Sequence, residues 1–393
     1  MANTSTQTDT MRTTLKGAPR MQSVRFHGPN DIRVEEVDEP VCGKGQVKMR
    51  PAYVGICGSD LHEYTSGPIL IPETPHKITG CTQPATLGHE FGGIIEEVGE
   101  DVKHVSAGQR AVVRPTIFDG TCAACKEGNY HCCENIGFIG LSGYGGGMAK
   151  KIVAPAGHFY ALPDTISLEA ASLIEPLAVS WHAVKFSPFK KNDNVLIVGG
   201  GPIGLGIVQV LKLQGAGQIM VAEPMDNRKK FCTEYGATAI LDPSKVDVTQ
   251  RVRELTGGVG ADVVFDTAGV EKALLGAIAA VRVQGTIVNL AVWEGNPCLP
   301  VNDLMYKEVR YMGAALYDEQ SFLDVMQALS AGKYYLDAMI LYLNPSDELL
   351  AGDLRPEKMI TSRVSLRDVV EKGFQALFNH RDEHCKIIVD VQE

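Results

Sequence analysis

The strand-forming run NVLIV ends at Gly199, and Gly199, Gly201 and Gly204 then punctuate the start of a helical pattern, IGLGIVQVLKLQG. Placed between a strand and a helix, that spacing restricts the fold strongly. Gly199 permits a tight turn from strand to helix, Gly201 lets the backbone approach a pyrophosphate, and Gly204 lets helix and strand pack closely. Pro202 and Ile203 complete the turn, and the helix amino terminus offers unpaired N–H groups to phosphate. A glycine triplet alone is weak evidence, because such turns also arise for structural reasons. Here the next strand, QIMVAE, ends on Glu223 about twenty residues on, where an acid accepts hydrogen bonds from the adenosine ribose hydroxyls. A carboxylate there repels a 2′-phosphate, which favours NAD over NADP, although Arg228 softens that preference.

The alternation continues along the chain. RKKFCTEYG reads as a helix, and ADVVFDTAG and TIVNLAV as strands, which predicts a parallel sheet with helices on both faces. Upstream, the runs SVRFHGPNDIRVEEV, QVKMRPAYVGICG, GGIIEEVG and QRAVVRPTIF are broken by Gly, Pro and Asn and predict strands and turns. ISLEAASLIEPLAVSWHAVKF has helical spacing, LRDVVEKGFQALFNH is helix-like and CKIIVDV strand-like. The expected architecture is α/β: a tail over residues 1–20, a β-rich domain over 21–175 completed by 321–393, and an inserted doubly wound domain over 176–320.

Composition removes other classes. Of 393 residues, 45% are apolar and 21% charged, with a net charge of −10. No run approaches the ~18–20 apolar residues of a membrane span, and the chain lacks the basic cluster of a nucleic-acid binder. The Ser/Thr-rich start, with Arg12, Lys16 and Arg20, predicts a disordered tail, with a mitochondrial presequence as the alternative; the expected compartment is the cytoplasm.

Two groups of metal-ligating residues stand out. Cys122, Cys125 and Cys133 have the compact spacing of a structural zinc knuckle, with Asp119, Cys132 and His131 as candidates for the fourth position. GICGSDLHEY brings Cys57, Ser59, Asp60 and His62 together, GHEFGG supplies His89 and Glu90, and Glu175 opens a helical run. A cysteine, a histidine and a carboxylate make a catalytic zinc shell with one position open.

The order GICGSDLH, GHE with Gly93 and Gly99, the cysteine loop, EPLAVSWHAV and GGGPIG resembles the zinc-dependent medium-chain alcohol and polyol dehydrogenases, from about Met21 to the carboxyl terminus. GICGSDLHEYTSGPI, PHKIT, NLAVW and EKGFQAL resemble the 2,3-butanediol dehydrogenase branch most closely. The resemblance implies a GroES-like catalytic domain with an inserted Rossmann domain, and zinc in the cleft held by Cys57 and His89. It implies Glu175 as third ligand or holder of the water on the metal, with Glu90 exchanging or outside the shell; polyol branches use either glutamate. In the family's structural loop Asp119 stands where a cysteine is usual, so one aspartate and three thiolates would bind that metal. The expected substrate is a diol or hydroxyketone, 2,3-butanediol or acetoin, with sugar polyols such as sorbitol as the alternative and a non-catalytic zinc protein as a remoter one. Ser59 is expected to take the alcohol proton and His62 to carry it outward. A homodimer or homotetramer is expected, with neither nucleic acid nor membrane as partner.

Overall fold

The computed structural model describes residues 19–330 and 354–393. The expected amino-terminal tail therefore lies almost wholly outside the described residues, as do residues 331–353. In the first domain the strand Gln46–Gly55 pairs antiparallel with Glu90–Val98 on one side and Lys386–Asp390 on the other. The latter pairs in parallel with Ile360–Ser365, so the end of the chain returns to the first sheet. Alternate inward residues, among them Val47, Met49, Val54, Phe91, Ile387 and Val389, share one fully buried core.

The second domain is a six-stranded parallel sheet. Its order is Ala239–Leu241, Ile219–Ala222, Val195–Val198, Ala261–Asp266, Val281–Asn289 and Arg310–Gly313. All four residues of Val195–Val198 are buried, because helices cover both faces of the sheet. Strand order reverses at this strand, so a crevice opens beyond its carboxyl end, where doubly wound folds bind ligands.

One helix joins the domains. The helical run from Ile166 splits at Ser172–Leu173 into Leu168–Ala171, capped by the Ser167 side chain, and Ile174–Phe186. Leu177, Trp181 and Val184 of the longer helix pack in one core with Leu205, Val208 and Phe322. The Trp181 indole N–H donates to Asp324 at 3.1 Å. Two expectations are refined. The strand within TIVNLAV stops at Asn289, leaving Ala291–Glu294 as a loop. The segment LRDVVEKGFQALFNH forms a wide π turn, Val369–Gln375, before the short helix Ala376–Asn379. Among the described residues no helix is long and apolar enough to cross a membrane.

Candidate active site

Cys57 is the N-cap of the helix Gly58–Ser66, and His89 and Glu90 stand at the start of the strand Glu90–Val98. Adjacent pairing of that strand with Gln46–Gly55 brings the two segments together. One ligand atom each from Cys57, His89 and Glu90 lie within 4.8 Å of one another. Asp60 organises the pair: one carboxylate oxygen accepts the Cys57 N–H at 2.9 Å, and the other lies 3.5 Å from His89 Nδ1. Directing Nδ1–H at a carboxylate leaves Nε2 as the ligand atom, the usual arrangement behind a metal-bound histidine. Ser59 Oγ is 3.2 Å from that Nε2.

These residues fit a zinc ion. His89 and Glu90 are buried, and Glu90 Oε1 has no hydrogen-bond partner among the described residues. A buried carboxylate oxygen left unpaired costs several kcal/mol unless a cation compensates it, and a thiolate, imidazole and carboxylate suit zinc. The local field also favours positive charge. Burial works to lower the His89 pKa, yet the charges of Asp60 and Cys57 hold it well above its ordinary value. Lys386, on the returning carboxyl-terminal strand, forms a buried ion pair with Glu90 Oε2. Burial disfavours the Lys386 cation, but Glu90 and Cys57 raise its pKa.

Glu175 opens the domain-joining helix, only 5% exposed. It stands outside the compact Cys57–His89–Glu90 set yet shares its field: burial pushes its carboxyl up to about 7, with His89 opposing and Glu90 adding. Tyr317 is buried beside it, and burial and the Glu175 charge raise the phenol's pKa.

The glycine turn has the form its sequence predicts. Gly199 has φ +102°, and a Cβ on Gly204 would collide with the Gly199 carbonyl. Gly201 is different, because the nearest protein atom to a Cβ there is Arg228 Nη1 at 3.9 Å. No side chain caps the helix Pro202–Leu213, so an open cradle faces free N–H groups, as a pyrophosphate requires. Glu223 is buried against this loop. Its Oε2 accepts the Gly200 N–H at 2.7 Å and its Oε1 the Met225 N–H at 2.8 Å. The residues therefore fit a dinucleotide.

In the second metal group, ligand atoms of Asp119, Cys122, Cys125 and Cys133 all lie within 4.8 Å of one another. Backbone N–H groups of Thr121 and Cys122 and the Asn135 amide hold the Asp119 carboxylate and depress its pKa. Of the other candidates for that corner, Cys132 is exposed and His131 packs edge-on to His182, ring centroids 4.8 Å apart.

Sequence reasoning named Asp60 within its motif without giving it a role, and missed Lys386, Tyr317, Asn135 and Glu294. A lone lysine in the apolar strand CKIIVDV was the one visible signal for Lys386. His62 lies on the outward side of its helix, with Nδ1 3.3 Å from Glu294 Oε1.

Comparison with known proteins agrees with this geometry. Residues 43–164 match the alcohol dehydrogenase GroES-like domain, and residues 202–331 match the zinc-binding dehydrogenase domain. The chain is 36% identical over 373 residues to an (R,R)-butanediol dehydrogenase of Neisseria gonorrhoeae, covering 94% of this chain and 99% of that one. It superimposes on the crystal structure of 2R,3R-butanediol dehydrogenase from Bacillus subtilis with a TM-score of 0.83 at 36% identity, covering 94% and 99%. A sorbitol dehydrogenase of Bacillus subtilis is 33% identical over 284 residues, covering 72% and 78%.

Proposed function

The chain belongs to the zinc-dependent alcohol dehydrogenases, and from that premise we propose that it interconverts a vicinal diol and its hydroxyketone, 2,3-butanediol and acetoin, with NAD(H). The observation that carries the reading is the buried Cys57–His89–Glu90 set in a chain that also presents an open dinucleotide cradle at Gly201. The substrate follows from full-length similarity to butanediol dehydrogenases. The similarity to a sorbitol dehydrogenase supports sugar polyols as the second reading.

Cys57, His89 and Glu90 would hold zinc, with Glu175 the second carboxylate in the same field. Bound zinc supplies a Lewis acid that makes the alcohol more acidic, and NAD the hydride acceptor. Asp60 keeps the His89 tautomer that presents Nε2. Ser59, against that nitrogen, accepts the proton of the substrate hydroxyl, and His62 passes it outward. Glu223 reads the adenosine ribose while buttressing the phosphate loop. All ten cysteines are free thiols, which suits a reducing compartment, here assigned as the cytoplasm. We assign the assembly as a homodimer, docked through the strand Arg310–Gly313, which among the described residues pairs on one side only.

The test is NADH formation by a zinc-quantified sample, with Cys57→Ser as the zinc-poor control. We expect kcat/KM for 2,3-butanediol to exceed that for sorbitol by at least ~10-fold, the order a pocket built for one substrate achieves. A preference for sorbitol would establish the polyol reading, and no NADH with either would overturn both.

A further inference from the structure

His62 belongs to the catalytic domain and Glu294 to the cofactor domain, yet their side chains meet, Nδ1 to Oε1, at 3.3 Å. We propose that Glu294 is a positioning residue for proton release: its carboxylate accepts the Nδ1–H of His62, which leaves Nε2 free to take a proton, and the relay is complete only with both domains in place. The proposal rests on the dehydrogenase reading above.

Both partners are held from behind. On the His62 helix, the buried Asp60 is committed to the Cys57 N–H and His89, and the buried Glu63 accepts backbone N–H groups of Ile69, Leu70 and Ile71. Neither acid of that helix is therefore free to serve His62, and among the described residues its one ion pair is with Glu294. On the other side, Trp293 packs against the cofactor-domain core and donates its indole N–H to Asn289 at 3.0 Å. Asn289 in turn donates its amide to the Ala291 carbonyl at 3.2 Å. The loop is thus pinned one residue before Glu294.

Exposure argues for a role in proton transfer over one in stability. The His62 side chain is 33% exposed and that of Glu294 73%, and exposed ion pairs contribute little to folding. A carboxylate on one imidazole nitrogen does, however, set the tautomer and the orientation of the ring. In each oxidation the hydride leaves for NAD and one proton leaves the alcohol hydroxyl. Ser59 accepts that proton, His62 receives it in turn at Nε2, and the ring returns one proton to water on its exposed side.

Two variants separate charge from hydrogen bonding. Glu294→Gln keeps an acceptor oxygen and removes the charge, whereas Glu294→Ala removes both. Losing the acceptor frees the ring to turn and to change tautomer, so kcat for alcohol oxidation should fall roughly 3-fold or more in Glu294→Ala and by less in Glu294→Gln. With 15N-labelled histidine, the His62 nitrogen shifts should report an Nδ1-protonated tautomer in wild type and Glu294→Gln, and a mixed one in Glu294→Ala. KM for NAD and Tm should stay at wild-type values, and Glu294→Asp should restore most of kcat. An unchanged kcat with an unchanged tautomer in Glu294→Ala would overturn the proposal. So would a fall in Tm with kcat and tautomer unmoved, which marks a structural contact. A wild-type enzyme that forms no NADH would overturn the dehydrogenase reading instead, and the tautomer measurement would still decide the pairing.

Discussion

Glu223 serves the fold and the cofactor with one carboxylate. Both oxygens accept a backbone N–H, from Gly200 in the phosphate loop and from Met225 beyond the strand, and each keeps lone-pair capacity for a ribose hydroxyl. Replacing Glu223 with Ala removes the ribose acceptor and strands the buried Gly200 N–H, a loss of about 1–3 kcal/mol. KM for NAD should therefore rise roughly 10-fold or more, and the preference for NAD over NADP should narrow because the repulsive charge is gone. The ratio of kcat/KM values with the two cofactors measures this, and an unchanged ratio would show that other groups read the ribose. Spacing from Gly204 made Glu223 visible in the sequence. Its second task was invisible, because a backbone partner has no residue type to betray it. Lys386 was hidden for another reason. Its partner Glu90 lies far from it in the sequence, and only the pairing of the carboxyl-terminal strand with Gln46–Gly55 brings them together.

At the scale of elements, what is local in sequence was legible and what depends on long-range pairing was not. The cysteine loop is the clearest case. Three thiolates could be read from spacing, which left the fourth corner open among Asp119, Cys132 and His131; the resemblance pointed to Asp119, and the chain's path puts Asp119 with the thiolates and His131 against His182. Strands as short as Ala239–Leu241 carry too few residues for a period to show. The loop also yields a prediction that separates it from the chemistry. Wild-type protein should carry two zinc ions per chain, and Asp119→Ala one. Because a structural metal contributes folding energy directly, Asp119→Ala should lower Tm by roughly 5 °C, as for a loss of ~2 kcal/mol. Turnover at 25 °C should stay within about twofold of wild type, since Asp119 does not belong to the Cys57 set. Equal Tm values with one zinc in both proteins would mean that hydrogen bonds from Thr121, Cys122 and Asn135 hold the loop without metal.

For the whole molecule, the governing feature is the outer strand of the parallel sheet. Among the described residues Arg310–Gly313 pairs with Val281–Asn289 alone, and an unprotected edge strand is a template for another chain. The surface around it is apolar as well: Val301 is 66% exposed, Met305 57%, Tyr306 79% and Tyr311 37%. Monomers seldom leave such a patch in water, and a second copy related by a twofold axis would cover the same patch on both chains. Static light scattering should therefore give twice the chain mass. The double variant Met305→Asp, Tyr306→Asp should give the monomer, because two carboxylates per chain would be buried without partners. Such an interface would also bear on the proton relay. Val281–Asn289, the neighbour that the edge strand supports, leads directly into Trp293 and Glu294. Docking the outer strand on a second copy would restrain that neighbour and, through it, the loop that reaches His62. The monomeric variant should accordingly bind NAD as wild type does while showing part of the Glu294→Ala loss in kcat. A monomeric variant with wild-type kcat would confine the interface to assembly, and a wild-type protein already monomeric would remove the edge strand as a docking surface.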